Sequence, residues 1–273
     1  MSDITLSSSV RNAMLSLANT RDSVSKTQSR LSTGNRINTA IDGPTAYFSA
    51  KSLNDRASDL TDRKSQIDQG ISVIGAALTG ASSIESTLTQ MKGIVKSAAT
   101  ADEATRETLK TQYNDLLKSI DKTAGDSSYN GVNLLNGGDV KLTVQFGDSE
   151  RASQSVQAKN LSTSKDGLNL QTITGFGSTT AELDAMGSEL DGAIGTVRAS
   201  AKELGTNVAL LQMRADFTKD YVATLEEGSR RLTVADLSSE GANLMALQTR
   251  QQIGVSSLSL ANQSQQAVMQ LFR

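Results

Sequence analysis

Apolar residues recur at every seventh position in two long rows near opposite ends of the chain. The first row runs from Leu53 to Val95 and the second from Leu183 to Leu232. A period of seven places one apolar stripe along a helix, and long stripes of this kind are typical of helices that pack side by side. The rows therefore predict two long helices, over residues 45–97 and 179–232, that lie antiparallel in one bundle.

A helix is also predicted at each end of the chain, and both of these helices are only weakly apolar. Gln251 and Gly254 interrupt the C-terminal stripe, and isolated helices of this kind are marginal in water. We therefore expect the two helices to pair with each other and to become stable only when neighbouring copies cover them. Their apolar stripes consist of Val10, Leu17, Val24 and Leu31 in the N-terminal helix and of Leu237, Leu244, Leu247, Leu258 and Val268 in the C-terminal helix.

The middle of the chain carries a third helical pattern and then a change of period. Apolar residues at spacings of three and four predict a helix over residues 102–124. Residues 140–146 alternate between apolar and polar side chains, which predicts a half-buried strand. Ser155–Lys159 is the predicted antiparallel partner, and residues 160–177 are expected to be irregular.

The predicted fold class is mainly α: an elongated antiparallel helical bundle or coiled-coil rod, with a small β-hairpin region and paired terminal helices. Gly34 and the Gly43-Pro44 pair mark a connector between the first two helices. The predicted order is an N-terminal helix (1–34), a connector (35–44), the first part of the rod (45–138), a β-ribbon and loop (139–178), the second part of the rod (179–232) and a C-terminal helix (233–273).

Composition argues against catalysis. The chain has 273 residues with no cysteine and no histidine, which removes thiolate chemistry, the commonest general base and the commonest metal ligand. No catalytic, cofactor-binding or metal-binding residues are predicted, and an enzyme is not expected. The net charge of -2 gives no pull towards nucleic acid. No apolar stretch approaches the roughly 20 residues of a membrane span, so membrane insertion is not expected either.

Three separated motifs make the chain resemble the bacterial flagellins. Residues 30–42 read Arg-Leu-Ser-Thr-Gly-Asn-Arg-Ile-Asn-Thr-Ala-Ile-Asp, residues 129–137 read Tyr-Asn-Gly-Val-Asn-Leu-Leu-Asn-Gly, and the last three residues are Leu-Phe-Arg. Each motif follows the pattern of that family, in the same order, and the resemblance covers residues 5–137 and 180–273. The intervening stretch is too short for the large outer domains of many flagellins, so the chain looks like a short form of the alphaproteobacterial type.

The resemblance implies a structural subunit that polymerises into the flagellar filament for swimming motility. Flagellins are exported unfolded by the flagellar type III system, so the expected location is extracellular, without a cleaved secretory signal. The implied partners are further copies of the chain, sister flagellins, an export chaperone, the filament cap and hook-associated proteins. A hook–filament junction protein is the nearest alternative, and a soluble coiled-coil chaperone or adaptor is a rival of a different class.

In flagellins the terminal helices form the inner tube of the filament, which assigns the two stripes above to contacts between subunits as well as to an intrachain pair. Arg30, Arg36 and Asp42 in the connector are candidates for contacts between subunits, with solvated surface charge as the alternative. Innate immune receptors recognise a segment of the form Leu-Gln-Arg-x-Arg-Glu-Leu in many flagellins. The matching segment lacks the first arginine and the glutamate, which predicts weak receptor activation; it reads Gln90, Lys92, Gly93 and Ile94 at the altered positions.

Overall fold

The computed structural model describes residues 8–147, 152–177 and 179–271. That part of the chain contains five helices, which are α1 (Ser8–Thr33), α2 (Pro44–Ala98), α3 (Glu103–Asp126), α4 (Thr180–Thr233) and α5 (Leu237–Leu271). Four short strands lie between α3 and α4, namely β1 (Ser128–Tyr129), β2 (Val132–Asn133), β3 (Lys141–Gln145) and β4 (Ser153–Gln157). This architecture confirms the predicted mainly α fold with a small β-hairpin region.

Local residues explain where the longer helices begin. Pro44 occupies the first position of α2, where its missing N–H leaves no bond unmade. Thr179 and Glu182 cap α4 reciprocally, because the Thr179 N–H donates to Glu182 Oε2 at 3.2 Å and the Glu182 N–H donates to Thr179 Oγ1 at 3.4 Å. Asp102 caps α3 by accepting a hydrogen bond from the Thr105 N–H at 2.9 Å.

The contacts of the chain form two compact units, and both long helices contribute to each. Unit 1 consists of residues 1–57 and 223–273, and unit 2 consists of residues 58–222. Unit 2 therefore contains α3 and the strands, whereas α1, the connector and α5 belong to unit 1. Each unit has its own internal packing.

Unit 2 holds a hydrophobic core to which α2, α3 and α4 all contribute. The predicted seven-residue rows supply much of it, which confirms their assignment to a helical bundle. Thr218 interrupts the second row, but its buried hydroxyl donates to the Arg214 carbonyl of its own helix at 2.8 Å and is thereby satisfied. Row members with at most 1% of their surface exposed are Ile67, Ile74, Ala81 and Leu88 of α2 and Leu190, Val197, Leu204 and Leu211 of α4.

The predicted ribbon is present, with its second strand displaced. β3 and β4 pair antiparallel over five residues each. The sequence prediction placed the second strand at Ser155–Lys159, whereas it ends at Gln157. The reason is a competing contact, because the Lys159 N–H donates to the Leu134 carbonyl at 2.8 Å and draws the chain away from β3.

Glycine allows the ribbon to approach α2 closely. A Cβ at Gly70 would lie 2.5 Å from Val144 Cγ2 of β3, so only a residue without a side chain fits there. The Asn130-Gly131 pair, with φ of +49° and +78°, forms the two-residue turn between β1 and β2 that its sequence favours. The close approach at Gly70 thus attaches β3 to α2, and the turn joins β1 to β2.

Residues 160–177 are irregular, as predicted, but they are not loosely attached. Asn160 Oδ1 accepts hydrogen bonds from the Ser162 N–H at 3.1 Å and the Ser162 hydroxyl at 2.7 Å. The Thr163 N–H donates to Asp121 Oδ1 of α3 at 2.8 Å. Three leucines of this segment enter the core of unit 2, which the sequence pattern did not predict; they are Leu161, Leu168 and Leu170.

The sequence led to the expectation that no apolar stretch approaches the length of a membrane span, and this expectation is wrong. α2 does contain an apolar stretch with a mean hydropathy of 1.2 over 18 residues, long and apolar enough by composition to cross a membrane. Core packing accounts for part of this apolarity, because Ile74, Ile84 and Leu88 of α2 are fully buried in the core of unit 2. A helix that packs on several sides within a core acquires the same composition.

Candidate assembly interface

The two terminal helices, α1 and α5, pack against each other in unit 1. Two well-separated contacts fix their direction, since Arg30 meets Glu240 and Leu17 meets Gly254. Positions that rise along α1 therefore fall along α5, so the helices are antiparallel. The predicted pairing of the terminal helices is confirmed.

Most of the apolar stripe predicted for these helices is covered within the chain. Val10 and Leu247 are buried. Leu237, at the first position of α5, is exposed instead, and the Val268 side chain lies outside the described residues. In a single chain the stripes thus hold the intrachain pair together, which is one of the two roles expected of them. The half-buried members are Leu17, Val24, Leu31, Leu244 and Leu258.

Polar and small residues occupy much of the contact between α1 and α5. Thr20 and Thr27 of α1 are buried, and so is Glu240 of α5. Gly254 makes room for Leu17, because a Cβ at that position would lie 2.8 Å from Leu17 Cδ1. Burial stabilises by roughly 25 cal/mol per Å² of apolar surface. Because these polar and small residues occupy part of the contact beside the apolar stripe, less apolar surface is buried there, and the pair is stabilised less than the core of unit 2.

Larger apolar residues of the same helices face solvent. The seven-residue rows alone do not reveal them, although Ile253 and Leu260 follow the same spacing as a second row on α5. Apolar side chains on several faces are typical of a helix that is buried on several sides, so this arrangement favours further packing partners. Apart from Leu237, these exposed residues are here called the outer apolar set; they are Met14 and Leu15 of α1 and Met245, Ile253, Val255 and Leu260 of α5.

The two chain segments that lead out of α1 and into α5 are joined backbone to backbone. Gly34 follows α1 with a φ of +73°, a left-handed conformation that glycine adopts without strain. The Gly34 carbonyl accepts a hydrogen bond from the Ala235 N–H at 2.9 Å, and the Thr233 carbonyl accepts one from the Arg36 N–H at 2.7 Å. These bonds fix the connector beside the start of α5.

Arg30, one of the predicted connector charges, is engaged within the chain. Its Nη1 atom lies 2.9 Å from Glu240 Oε1, so the ion pair links the end of α1 to the start of α5. Arg30 Nε and Glu240 Oε2 are buried without a hydrogen-bond partner among the described residues. A half-satisfied buried ion pair fixes alignment but adds little stability.

Asp42 is also engaged within the chain, whereas the Arg36 side chain is exposed. Asp42 Oδ2 accepts hydrogen bonds from the Thr39 hydroxyl at 2.9 Å, the Thr39 N–H at 3.0 Å and the Asn38 N–H at 3.2 Å. Lys26 Nζ lies 3.3 Å from the other carboxylate oxygen. The bonds from Thr39, followed by those from Asn38 and Lys26, lower the pKa of Asp42 to about 2.

Two regions of the chain match the models of one known protein family. Residues 5–139 match the bacterial flagellin N-terminal helical region, and residues 188–272 match the bacterial flagellin C-terminal helical region. The chain is also 32% identical over 266 residues to the flagellin FljK of Caulobacter vibrioides, and the match covers 96% of each protein.

The chain belongs to the bacterial flagellin family.

Further relatives agree with this assignment. The flagellin of Brucella melitensis is 27% identical over 283 residues and matches over 100% of both proteins. A flagellar hook-associated protein of Vibrio parahaemolyticus has a TM-score of 0.53 at 16% identity, over 68% of this chain and 98% of that one; this likeness shows a shared fold alone. Because the relatives that match nearly full length are flagellins of alphaproteobacteria, the chain is a structural subunit of the flagellar filament, and the hook-associated alternative is less supported.

The segment for which the sequence analysis predicts weak receptor activation lies on α2 in unit 2. Gln90 and Gly93 are exposed, and Ile94 is half-buried. Lys92 forms an ion pair with Asp191 of α4.

Proposed function

We propose that the α1–α5 pair of this flagellin packs against the same pair in neighbouring copies through the outer apolar set. The observation that carries the proposal is the composition of the pair, because buried threonines and a glutamate lie beside Val10 and Leu247 inside it while six large apolar side chains remain outside. Neighbouring copies would bury what one chain exposes. Contacts that join different surfaces of identical subunits generate open filaments, which fits a filament subunit.

This proposal assigns roles to the remaining predicted segments. Residues 1–34 and 233–273 form the inner part of the filament, the two parts of the rod (45–138 and 179–232) with the ribbon and loop (139–178) form the outer part, and residues 35–44 join them. The predicted stripes hold each pair together, and Arg30 and Asp42 position the connector from within the chain. Arg36, whose side chain is exposed, is the remaining candidate among the three charges for a contact between subunits.

We also propose that the chain travels unfolded through the flagellar type III system and assembles outside the cell. An export chaperone, the filament cap and hook-associated proteins are the partners implied along that route, and sister flagellins are implied within the filament. Two features support it. The absence of cysteine means that no disulfide can trap the chain in transit, and the weak contact between α1 and α5 means that this pair unfolds at low cost.

Elongation of filament seeds by purified subunits tests the proposed interface. Ile253→Asp places a carboxylate where neighbours would pack, and burying it would cost several kcal/mol, so we expect no elongation. Because Ile253 is 61% exposed in the single chain, the helix content of the subunit in solution should not change. Gln252→Asp, at the adjacent exposed position, is the matched control and should elongate normally. Normal elongation by Ile253→Asp would refute the interface.

The same assay separates the rival functions. A hook–filament junction protein would bind a filament end and stop, so continued growth of seeds by the unmodified chain argues against it. A soluble coiled-coil adaptor would hold α1 and α5 in stable, protease-resistant form as a monomer. Rapid proteolysis of both helices in the monomer, together with resistance in the polymer, is the result that our proposal requires.

We further propose that this flagellin activates its innate immune receptor weakly. The charged residues at two positions of the recognised segment are replaced by Gln90 and Gly93, and Lys92 is paired with Asp191. In a reporter-cell assay at matched dose, the double variant Gln90→Arg with Gly93→Glu should give a stronger response than the unmodified chain. A response of the unmodified chain equal to that of an enterobacterial flagellin would contradict this.

A further inference from the structure

Two members of the outer apolar set are methionines, Met14 of α1 and Met245 of α5. Their side chains are 47% and 71% exposed, and Met245 is the most exposed member of the set. Methionine carries a polarizable thioether on an unbranched chain, which suits a surface that packs against a partner and which reacts with oxidants where water reaches it. The surface that the proposed function assigns to neighbouring copies therefore contains two oxidisable sulfur atoms.

The other described methionines differ from this pair in burial or in place. Met91 of α2 has no exposed surface, and Met186 of α4 packs against the core of unit 2. Met213 of α4 is 64% exposed, nearly as open as Met245, but it belongs to unit 2 and not to the terminal pair. The chain thus supplies its own comparisons, with Met91 for burial and Met213 for place.

Both sulfurs lie among other apolar side chains of the set. Met245 precedes Ile253 by eight residues, a spacing that places both side chains on one side of α5. Between Met245 and Leu260 the only charged residue is Arg250. In α1, Met14 is followed directly by Leu15, which is 62% exposed. A polar group added at either sulfur would therefore fall within an apolar surface.

The reaction at each sulfur needs only a peroxide. A sulfur lone pair attacks one oxygen of hydrogen peroxide, the O–O bond breaks, and the released hydroxide takes the proton of the transferred oxygen and leaves as water. The sulfur is thereby oxidised by two electrons and the peroxide is reduced by two. The product, methionine sulfoxide, carries a polar S=O group that accepts hydrogen bonds and costs free energy when it is buried without a donor.

We propose that Met14 and Met245 form an oxidation-sensitive site, at which conversion to sulfoxide stops an unassembled subunit from joining the filament. The inference rests on the proposed function, because only burial against a neighbouring copy makes a polar group at these positions costly. In the single chain both sulfoxides face water, so the fold of the oxidised subunit is retained. In the filament the neighbours cover both sulfurs, so assembled subunits react slowly with the oxidant.

Elongation of untreated seeds by oxidised subunits tests the proposal. Monomers are treated with hydrogen peroxide, the excess is destroyed with catalase, and sulfoxides are located by mass spectrometry of proteolytic peptides. We expect sulfoxides at Met14, Met213 and Met245 but not at Met91, an unchanged circular dichroism spectrum, and a critical concentration for elongation that rises several-fold. Methionine sulfoxide reductases should restore elongation in step with repair of Met14 and Met245; elongation that stays lost after repair would overturn the proposal.

Leucine variants assign the effect to the two sulfurs. Met14→Leu combined with Met245→Leu keeps the volume and the apolar character of both side chains, so this double variant should elongate seeds before and after peroxide treatment. Met213→Leu is the matched control and should lose elongation after treatment, as the unmodified chain does. If peroxide still stops the double variant, or if Met213→Leu alone confers resistance, the assignment to Met14 and Met245 is overturned.

The outcomes separate this site from the proposed function. Subunits that carry sulfoxides at Met14 and Met245, yet elongate seeds like untreated subunits, would overturn the oxidation-sensitive site and leave the filament function intact. In treated filaments the Met245 sulfoxide should form several-fold more slowly than in monomers; equal rates would also overturn the site, because Met245 would then stay open to water after assembly. Failure of the untreated, unmodified chain to elongate seeds would instead contradict the proposed function.

Discussion

Unit 1 and unit 2 share the same seven-residue period, but they differ in the residue types that this period buries. In unit 2 most of the row positions are isoleucine, leucine or valine with almost no exposed surface, such as Ile67 and Leu190. In the α1–α5 pair of unit 1, buried positions include Thr20, Thr27 and Glu240. The period sets the geometry of a helix contact, whereas the residue types at the contact decide whether one chain can stabilise it alone. Our proposal is that unit 2 is self-sufficient in this flagellin, whereas the terminal pair depends on neighbours.

The largest expected effect comes from truncating the core of unit 2. Leu88→Ala should lower the free energy of unfolding by about 2–5 kcal/mol, because it leaves a cavity among fully buried side chains. Leu17→Ala, in the weak contact of unit 1, should cost well under half of that in the monomer, since Leu17 is only half-buried. Chemical denaturation followed by circular dichroism measures both. Equal losses would remove the distinction between the two units.

The effect of replacing Arg30 on the stability of the α1–α5 pair should depend strongly on whether Glu240 is present. Arg30→Met alone leaves the buried Glu240 carboxylate without its cation and should destabilise the α1–α5 pair by on the order of 2 kcal/mol. Adding Glu240→Leu should recover most of that loss, because two apolar residues replace two poorly satisfied charges. Hydrogen exchange of the α1 amides reports the stability of the pair. A double variant as unstable as Arg30→Met would contradict the assignment.

Replacing a buried hydroxyl should strengthen the terminal pair. Thr20 donates to the Ser16 carbonyl of its own helix at 2.8 Å, a carbonyl that is already bonded within the helix. Thr20→Val keeps the shape and should stabilise the pair by about 0.5–1 kcal/mol, seen as slower exchange of α1 amides in the monomer. Ser23→Val, at an exposed position with the same type of bond to Asn19 at 2.8 Å, is the control and should not slow exchange.

The smallest expected effect is a pH dependence confined to the connector. Because the pKa of Asp42 is lowered from 3.8 to about 2 in the folded chain, its ionised form stabilises the turn fully above pH 3.8, and this contribution is lost as the pH falls through about 2. Asp42→Asn should remove that dependence. Chemical shifts of the Thr39 amide, followed by NMR through this window, check the prediction; identical titrations in the two proteins would contradict it.

The sequence predicted most of unit 2 and less of unit 1, for a physical reason. Rows such as Ile67 to Val95 and the alternation at Leu142 and Val144 are local patterns, so they identify helices and a strand without knowledge of their partners. Leu161, Leu168 and Leu170 lie in a segment without a period, and only the tertiary contacts of the core of unit 2 bury them.

The candidate interface, too, was predicted from the sequence only where a local pattern marks it. The stripes at Val10 and Leu247 were recognisable, whereas the outer apolar set becomes visible only when α1 and α5 are paired and one face of each is covered. Likewise, Glu240 follows no local pattern as the partner of Arg30, because 210 residues separate them in the chain.

Amide hydrogen exchange of the monomer and of the filament tests the central claim most directly. The account predicts that α2 to α4 in unit 2 are protected in both states, whereas α1 and α5 exchange rapidly in the monomer and become protected only in the filament. Terminal helices that are as well protected in the monomer as the core of unit 2, with no gain on polymerisation, would contradict it.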